Sequence, residues 1–221
     1  MTKLEKINKT KEFAQQRLYQ ESSGHDYEHT RRVWQNAVVI GSKEKNVDMF
    51  IVEMAALLHD VDDWKARKDV SDSKMVRKWL QDIEVAEKDI VHILTIIRDA
   101  TYKGQQKRSF MKTKEGEVVQ DADRLESIGA IGVVRSFLYG QNIGRKMYDP
   151  QIKPIQSMDF EKYQKISTGE IECTTVNHFY EKLLFVKDQM NTKTAQKLAA
   201  GRHKFLLSFL KQFIAEWEGK A

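Results

Sequence analysis

Histidines and aspartates gather in three short stretches. His25 and His29 lie in "GHDYEHTRRVW", His59 and Asp60 in "MAALLHDVDDW", and Asp121 and Asp123 in "VVQDADRLESIGAIG". Each stretch sits near the end of a helical pattern or on a helix with a strong apolar face. From Met49 to Leu58 almost every residue is apolar, yet this run stops in His59, Asp60, Asp62 and Asp63. An imidazole and three carboxylates at the mouth of a core helix are costly to desolvate unless a cation meets them. Two imidazoles with two carboxylates form a mixed nitrogen and oxygen site, suited to Mn²⁺, Fe²⁺, Co²⁺, Ni²⁺ or Zn²⁺, whereas Mg²⁺ and Ca²⁺ prefer oxygen ligands throughout. An ion that accepts six ligands and receives four from protein keeps places for a water and a phosphate oxygen. It can then both acidify the water and polarise the phosphorus.

The elements that must position these residues are helical. Pro150 and Pro154 are the only prolines and Gly is sparse, which favours long helices. Periodicity predicts helices over about 3–20, 28–42, 48–60, 72–82, 85–100, 118–139, 173–190 and 193–217. Ala86, Ile90, Ile93, Leu94 and Ile97 make one helical face, and Ala195, Leu198, Phe205, Leu206, Phe209, Phe213 and Trp217 make another, opened by Thr192 or Thr194 as N-cap. Residues 21–27, 101–117 and 140–172 break the pattern, and the third has room for a small β-hairpin. The expected fold is all-α, in one domain spanning 1–221, with its core in 20–139 and the helices of 173–217 packed on it.

Composition narrows the classes further. No apolar run approaches the ~20 residues that span a bilayer, and "MTKLEKINKT" lacks the apolar core of a secretion signal, so a cytoplasmic protein without membrane partners is expected. Cys173 is the single cysteine, which excludes an intrachain disulfide. The net charge of +5 is modest, with basic residues thickening from Tyr102 to Lys114, as suits an anionic ligand or a solvated surface. No stacking array or nucleic-acid motif accompanies them, so nucleic acid is not the expected partner. The exposed ends of long amphipathic helices leave room for a homodimer.

The succession of His29, then His59 and Asp60, then Asp123 resembles the H…HD…D signature of the HD-domain metal-dependent phosphohydrolases. "GHDYEHTRRVW", "ALLHDVDDWK", "YKG", "GEVVQDADRLESIGAIGVVR", "YDP", "NHFYEKLL" and "MNTKTAQKLAAGRHKFLLSFLKQFIAEW" look like successive blocks of its bacterial single-domain members, over most of residues 20–217. The resemblance implies a helical bundle in which His29, His59, Asp60 and Asp123 hold one divalent transition-metal ion, Mn²⁺ being favoured. Periodicity does not choose between Asp121 and Asp123. The resembling motif has its ligand immediately before the basic residue, here Arg124, which selects Asp123 and leaves Asp121 as a capping or supporting carboxylate.

Around such an ion, Arg124 and Lys103 are expected to contact phosphate, with Lys65 a further cation. If the helix ending at His59 and Asp60 continues for one more turn, Asp63 shares a face with His59 and becomes the candidate base; otherwise Asp62 and Asp63 are solvated at a helix end. Asp26 as an N-cap would leave His25 outside its helix, and His92, His178 and His203 are read as packing or surface residues. The expected activity is hydrolysis of a nucleotide, foremost a nucleoside triphosphate cleaved to monophosphate and pyrophosphate or at its terminal phosphate. The alternatives are a monophosphatase, an alarmone-type hydrolase and a non-catalytic nucleotide-binding module. An oxygen-using two-iron centre would need further ligands, for which only His25 and His92 are available.

Overall fold

Every long apolar stripe in the chain forms a helix. The computed structural model describes residues 1–19, 26–62, 74–100, 111–155, 160–167 and 170–221. By contact, the described residues up to Asp123 form one compact unit and those from Arg124 onward a second.

The first unit contains α1 (Lys3–Leu18), α2 (Tyr27–Gly41), α3 (Met49–Leu58), α4 (Lys74–Asp82), α5 (Glu87–Ala100) and most of α6 (Lys114–Glu126). α3 is its centre, packed by α1, α2 and α5, and Val52 and Met54 through Leu58 are fully buried. The N–H groups of two half-buried indoles tie helices of this unit together. Trp34 Nε1 donates to Glu53 Oε2 at 2.9 Å, and Trp79 Nε1 donates to Thr10 Oγ1 at 3.0 Å while its ring stacks on Phe13.

The second unit contains α7 (Gly129–Asn142), α8 (Phe160–Ser167), α9 (Thr175–Glu181), a 3-10 helix (Leu183–Gln189) and α10 (Lys193–Trp217). α10 starts on Thr192, whose side chain accepts the Ala195 N–H, and packs on α7 and the 3-10 helix. Phe137, Phe179, Phe209 and Phe213 pack ring to ring, with Tyr148 and Trp217 extending the cluster.

Two expected helices are each two elements: 173–190 is α9 and the 3-10 helix, and 118–139 is α6 and α7. Gly129 stands at φ +81°, and a Cβ there would sit 3.0 Å from Arg202 Cγ, so the chain turns where a side-chain-bearing residue would be both strained and crowded. The room left in 140–172 for a hairpin is not used by one: among the described residues there is no strand, and this segment carries α8. Its backbone groups are satisfied elsewhere. Thr175 and Val176 N–H donate to the Lys146 and Met147 carbonyls, Asn177 Nδ2 to the Ile152 carbonyl, and the Ile155 N–H to Glu181 Oε1. With those partners found on α9, no strand pairing is needed. Glu181 also accepts the Cys173 thiol at 3.3 Å, and burial followed by that carboxylate pushes the thiol pKa up to about 12, leaving it an inert core group.

Candidate metal centre

His29 lies in the first turn of α2, where Asp26 is the N-cap and its Oδ1 accepts the His29 N–H at 2.7 Å. His59 is the C-cap residue of α3, and Asp60 follows it in a turn. Asp123 is in the last part of α6. α2 and α3 pack with the start of one beside the end of the other, so residues thirty positions apart meet.

The meeting is close. His29 Nε2 is 3.4 Å from Asp60 Oδ2 and 3.4 Å from Asp123 Oδ1. His59 Nε2 is 3.1 Å from Asp60 Oδ2 and 4.0 Å from Asp123 Oδ1. One donor atom from each of His29, His59 and Asp123 falls within 4.8 Å of the others, a spread that a single ion could bridge. The His29 side chain is 1% exposed and that of Asp123 is 42%.

The chemistry of these donors suits a cation. His59 Nδ1 lies 2.8 Å from the Ala56 carbonyl, and a carbonyl can only accept, so the proton belongs on Nδ1. That leaves the Nε2 lone pair facing the carboxylates, and Nε2 is buried without a hydrogen-bond partner. A backbone carbonyl on one ring nitrogen is the usual way a ligating imidazole is oriented. Burial opposes charge on His59, but Asp60 and then Asp123 outweigh it and raise its pKa. Burial likewise opposes charge on Asp123, but the hydrogen bond from His29 and the neighbouring imidazoles hold its pKa down to about 2.

The other sequence candidates divide clearly. Asp121 is fully buried on α6 and is not one of the three donors that gather. Arg124 directs Nη1 to the Gln189 carbonyl. α3 stops at Leu58 and the chain runs on as a turn and a bend through Asp62, so the extra turn on which the Asp63 placement depended is not made there. Asp62 is only 7% exposed, against the expectation of a solvated end. Asp63, Lys65, Lys103 and His25 lie outside the described residues. His92 contacts Thr113 Oγ1 at 3.0 Å, and the group of donors gathered among the described residues does not include it.

The HD domain family profile matches residues 26–128, a span that holds His29, His59, Asp60 and Asp123. By sequence, the chain is 36% identical to YpgQ of Bacillus subtilis, over 99% of this chain and 97% of that protein. By structure, it is similar to an HD-superfamily hydrolase from Bacillus thuringiensis, with a TM-score of 0.76, 40% identity, and 98% and 99% of the two chains covered. It also matches Bacillus subtilis YpgQ in complex with ADP, with a TM-score of 0.72, 34% identity, and 97% and 100% covered.

Proposed function

Because the chain belongs to the HD-domain hydrolase family, we propose that it is a metal-dependent phosphohydrolase of nucleotides, cleaving nucleoside triphosphates to monophosphate and pyrophosphate. The observation that carries this reading is His59, whose Nδ1 is engaged by the Ala56 carbonyl and whose Nε2 faces His29, Asp60 and Asp123 with no hydrogen bond of its own. His29, His59, Asp60 and Asp123 would hold one divalent ion, Mn²⁺ in the favoured case. When bound it would supply a Lewis acid for the phosphoryl oxygen and lower the pKa of a water. That YpgQ binds ADP supports a nucleotide ligand for this chain. In this reading Arg124 and Lys103 steady the phosphate charge.

The test is incubation with nucleoside mono-, di- and triphosphates and several divalent ions, with every product identified. Monophosphate and pyrophosphate from a triphosphate are expected. Orthophosphate as the sole small product would move the assignment to a terminal phosphatase, and nucleotide binding with no product under any ion would leave a binding module.

Metal affinity should also depend on pH in a defined direction. A ligating imidazole must be neutral, and His59 holds its proton to higher pH than an ordinary histidine because Asp60 and Asp123 outweigh the effect of burial. Asp123, with its pKa near 2, stays ionised and adds nothing to the dependence. Affinity should therefore fall as pH drops, beginning above the ordinary imidazole range near ~6.5 and approaching about tenfold per pH unit for each proton displaced. Calorimetric Mn²⁺ titrations giving the same affinity from about pH 8 to about pH 6 would rule out the histidines as ligands.

A further inference from the structure

α3 begins with half of the usual device for starting a helix. Asp48 caps it, its Oδ1 accepting the Phe50 N–H at 2.9 Å. In the complete device a Glu or Gln at the third helical position takes the N–H of the cap residue itself, as Glu5 does for Thr2 in α1. In α3 that position is Ile51, 2% exposed and unable to accept. The Asp48 N–H goes instead to Glu115 Oε1 of α6, 2.9 Å away and 67 residues further along the chain. Glu115 is 9% exposed, and its second oxygen stands 3.8 Å from His92 Nε2 of α5.

The same two helices carry metal-centre residues at their other ends. Asp48 and His59 are separated by about 16 Å of helix and Glu115 and Asp123 by about 12 Å, so both helices run from the Glu115 bond toward the donors. Beside that bond the packing is tight. A Cβ on Gly41, at the end of α2, would lie 2.7 Å from Met49 Sδ and 3.5 Å from Val118 Cγ1, which leaves α2, α3 and α6 little freedom to slide. A slip of one residue along a helix is ~1.5 Å, whereas metal–donor distances tolerate about 0.2 Å.

We propose that Glu115 is a positioning residue for the metal centre: by completing the cap of α3 from α6, it sets the axial register that brings Asp123 to His59 and Asp60. This rests on the reading of those residues as metal ligands. The acceptor oxygen matters and not the charge, so Glu115→Gln should keep the bond, while Glu115→Ala loses it and Glu115→Asp, one methylene shorter, falls short of it.

The test is Mn²⁺ titration of the full chain, followed by the paramagnetic resonance of free ion, at a temperature well below unfolding. Leu80→Ala serves as a control, because Leu80 is fully buried in α4 and its loss destabilises the same unit without touching the clamp. Glu115→Ala is expected to weaken Mn²⁺ binding roughly tenfold, at the low end of what loss of a ligand-orienting partner costs. Glu115→Gln should stay near wild type and Leu80→Ala should lower the melting temperature with little change in affinity. Should Glu115→Ala not fold, the same weakening is expected in Glu115→Asp. Alanine and aspartate variants that bind as tightly as wild type, a loss no larger than the control's, or a glutamine variant as weak as alanine would each overturn the proposal. A wild-type chain that binds no divalent ion would instead remove the metal reading beneath it.

Discussion

The His59→Ala protein is expected to lose its metal and its turnover together. The imidazole has its Nδ1 fixed by a backbone carbonyl and its Nε2 facing both carboxylates. Removing a partner that merely orients a ligand costs about 10–100-fold, and removing a ligand should cost more. Asp123→Ala should behave in the same way, because its Oδ1 is within 4.0 Å of both ring nitrogens. Asp121→Ala should differ in kind. Asp121 is fully buried but stands outside the donor group, so stability should fall while metal content is kept. Elemental analysis of the purified variants beside steady-state rates decides the matter, and full metal content in Asp123→Ala with none in Asp121→Ala would show that the wrong aspartate had been assigned.

Phe179→Ala is expected to be the most destabilising of the simple core truncations. Phe179 is fully buried, with the rings of Phe137 at 5.9 Å and Phe209 at 6.0 Å. Truncating such a side chain costs about 3–5 kcal/mol, through lost transfer energy and the cavity left behind. Phe205→Ala, on α10 but 46% exposed, should cost far less. The size of the thermal shift carries further information. If the whole chain unfolds as the single domain proposed for it, each kcal/mol lowers the melting temperature by roughly 2–4 °C, a total of about 6–20 °C. Scanning calorimetry with one transition shifted by that amount would agree. Two transitions, with only one moved by Phe179→Ala, would show that the two compact units melt separately.

Long stripes were readable from sequence because they need only one periodic face. α10 was expected over 193–217 and spans Lys193–Trp217. α6 was harder, since Gln120, Asp121 and Glu126 are buried together with Val118, Val119, Ala122 and Leu125. A helix covered nearly all round has no polar face to give its phase, and for that reason periodicity did not select Asp123, while the resemblance to the H…HD…D motif did. Asp62 was misjudged for a related cause, as a carboxylate at a helix end looks solvated until the surrounding chain is in place. Glu115 passed without notice as one more acidic residue in the first turn of a helix. Its role depends on an N–H 67 positions away, and no local pattern reports such a pairing.

The direction in which α3 enters the site has an electrostatic consequence. His59 and Asp60 follow the C-terminal end of that helix, where aligned peptide dipoles leave a partial negative charge. The Leu58 carbonyl accepts the Val61 N–H and the Ala56 carbonyl faces the His59 ring, so this end is held in place rather than frayed. α2 brings the opposite, positive end of its own dipole to His29, and the Asp26 carboxylate set on its first turn counters it. The backbone of α3 therefore adds to the field of Asp60 and Asp123, by about 0.3–1 kcal/mol for a nearby positive charge. Part of the site's preference for a cation is thus written in the polarity of a helix and does not depend on which side chains it carries.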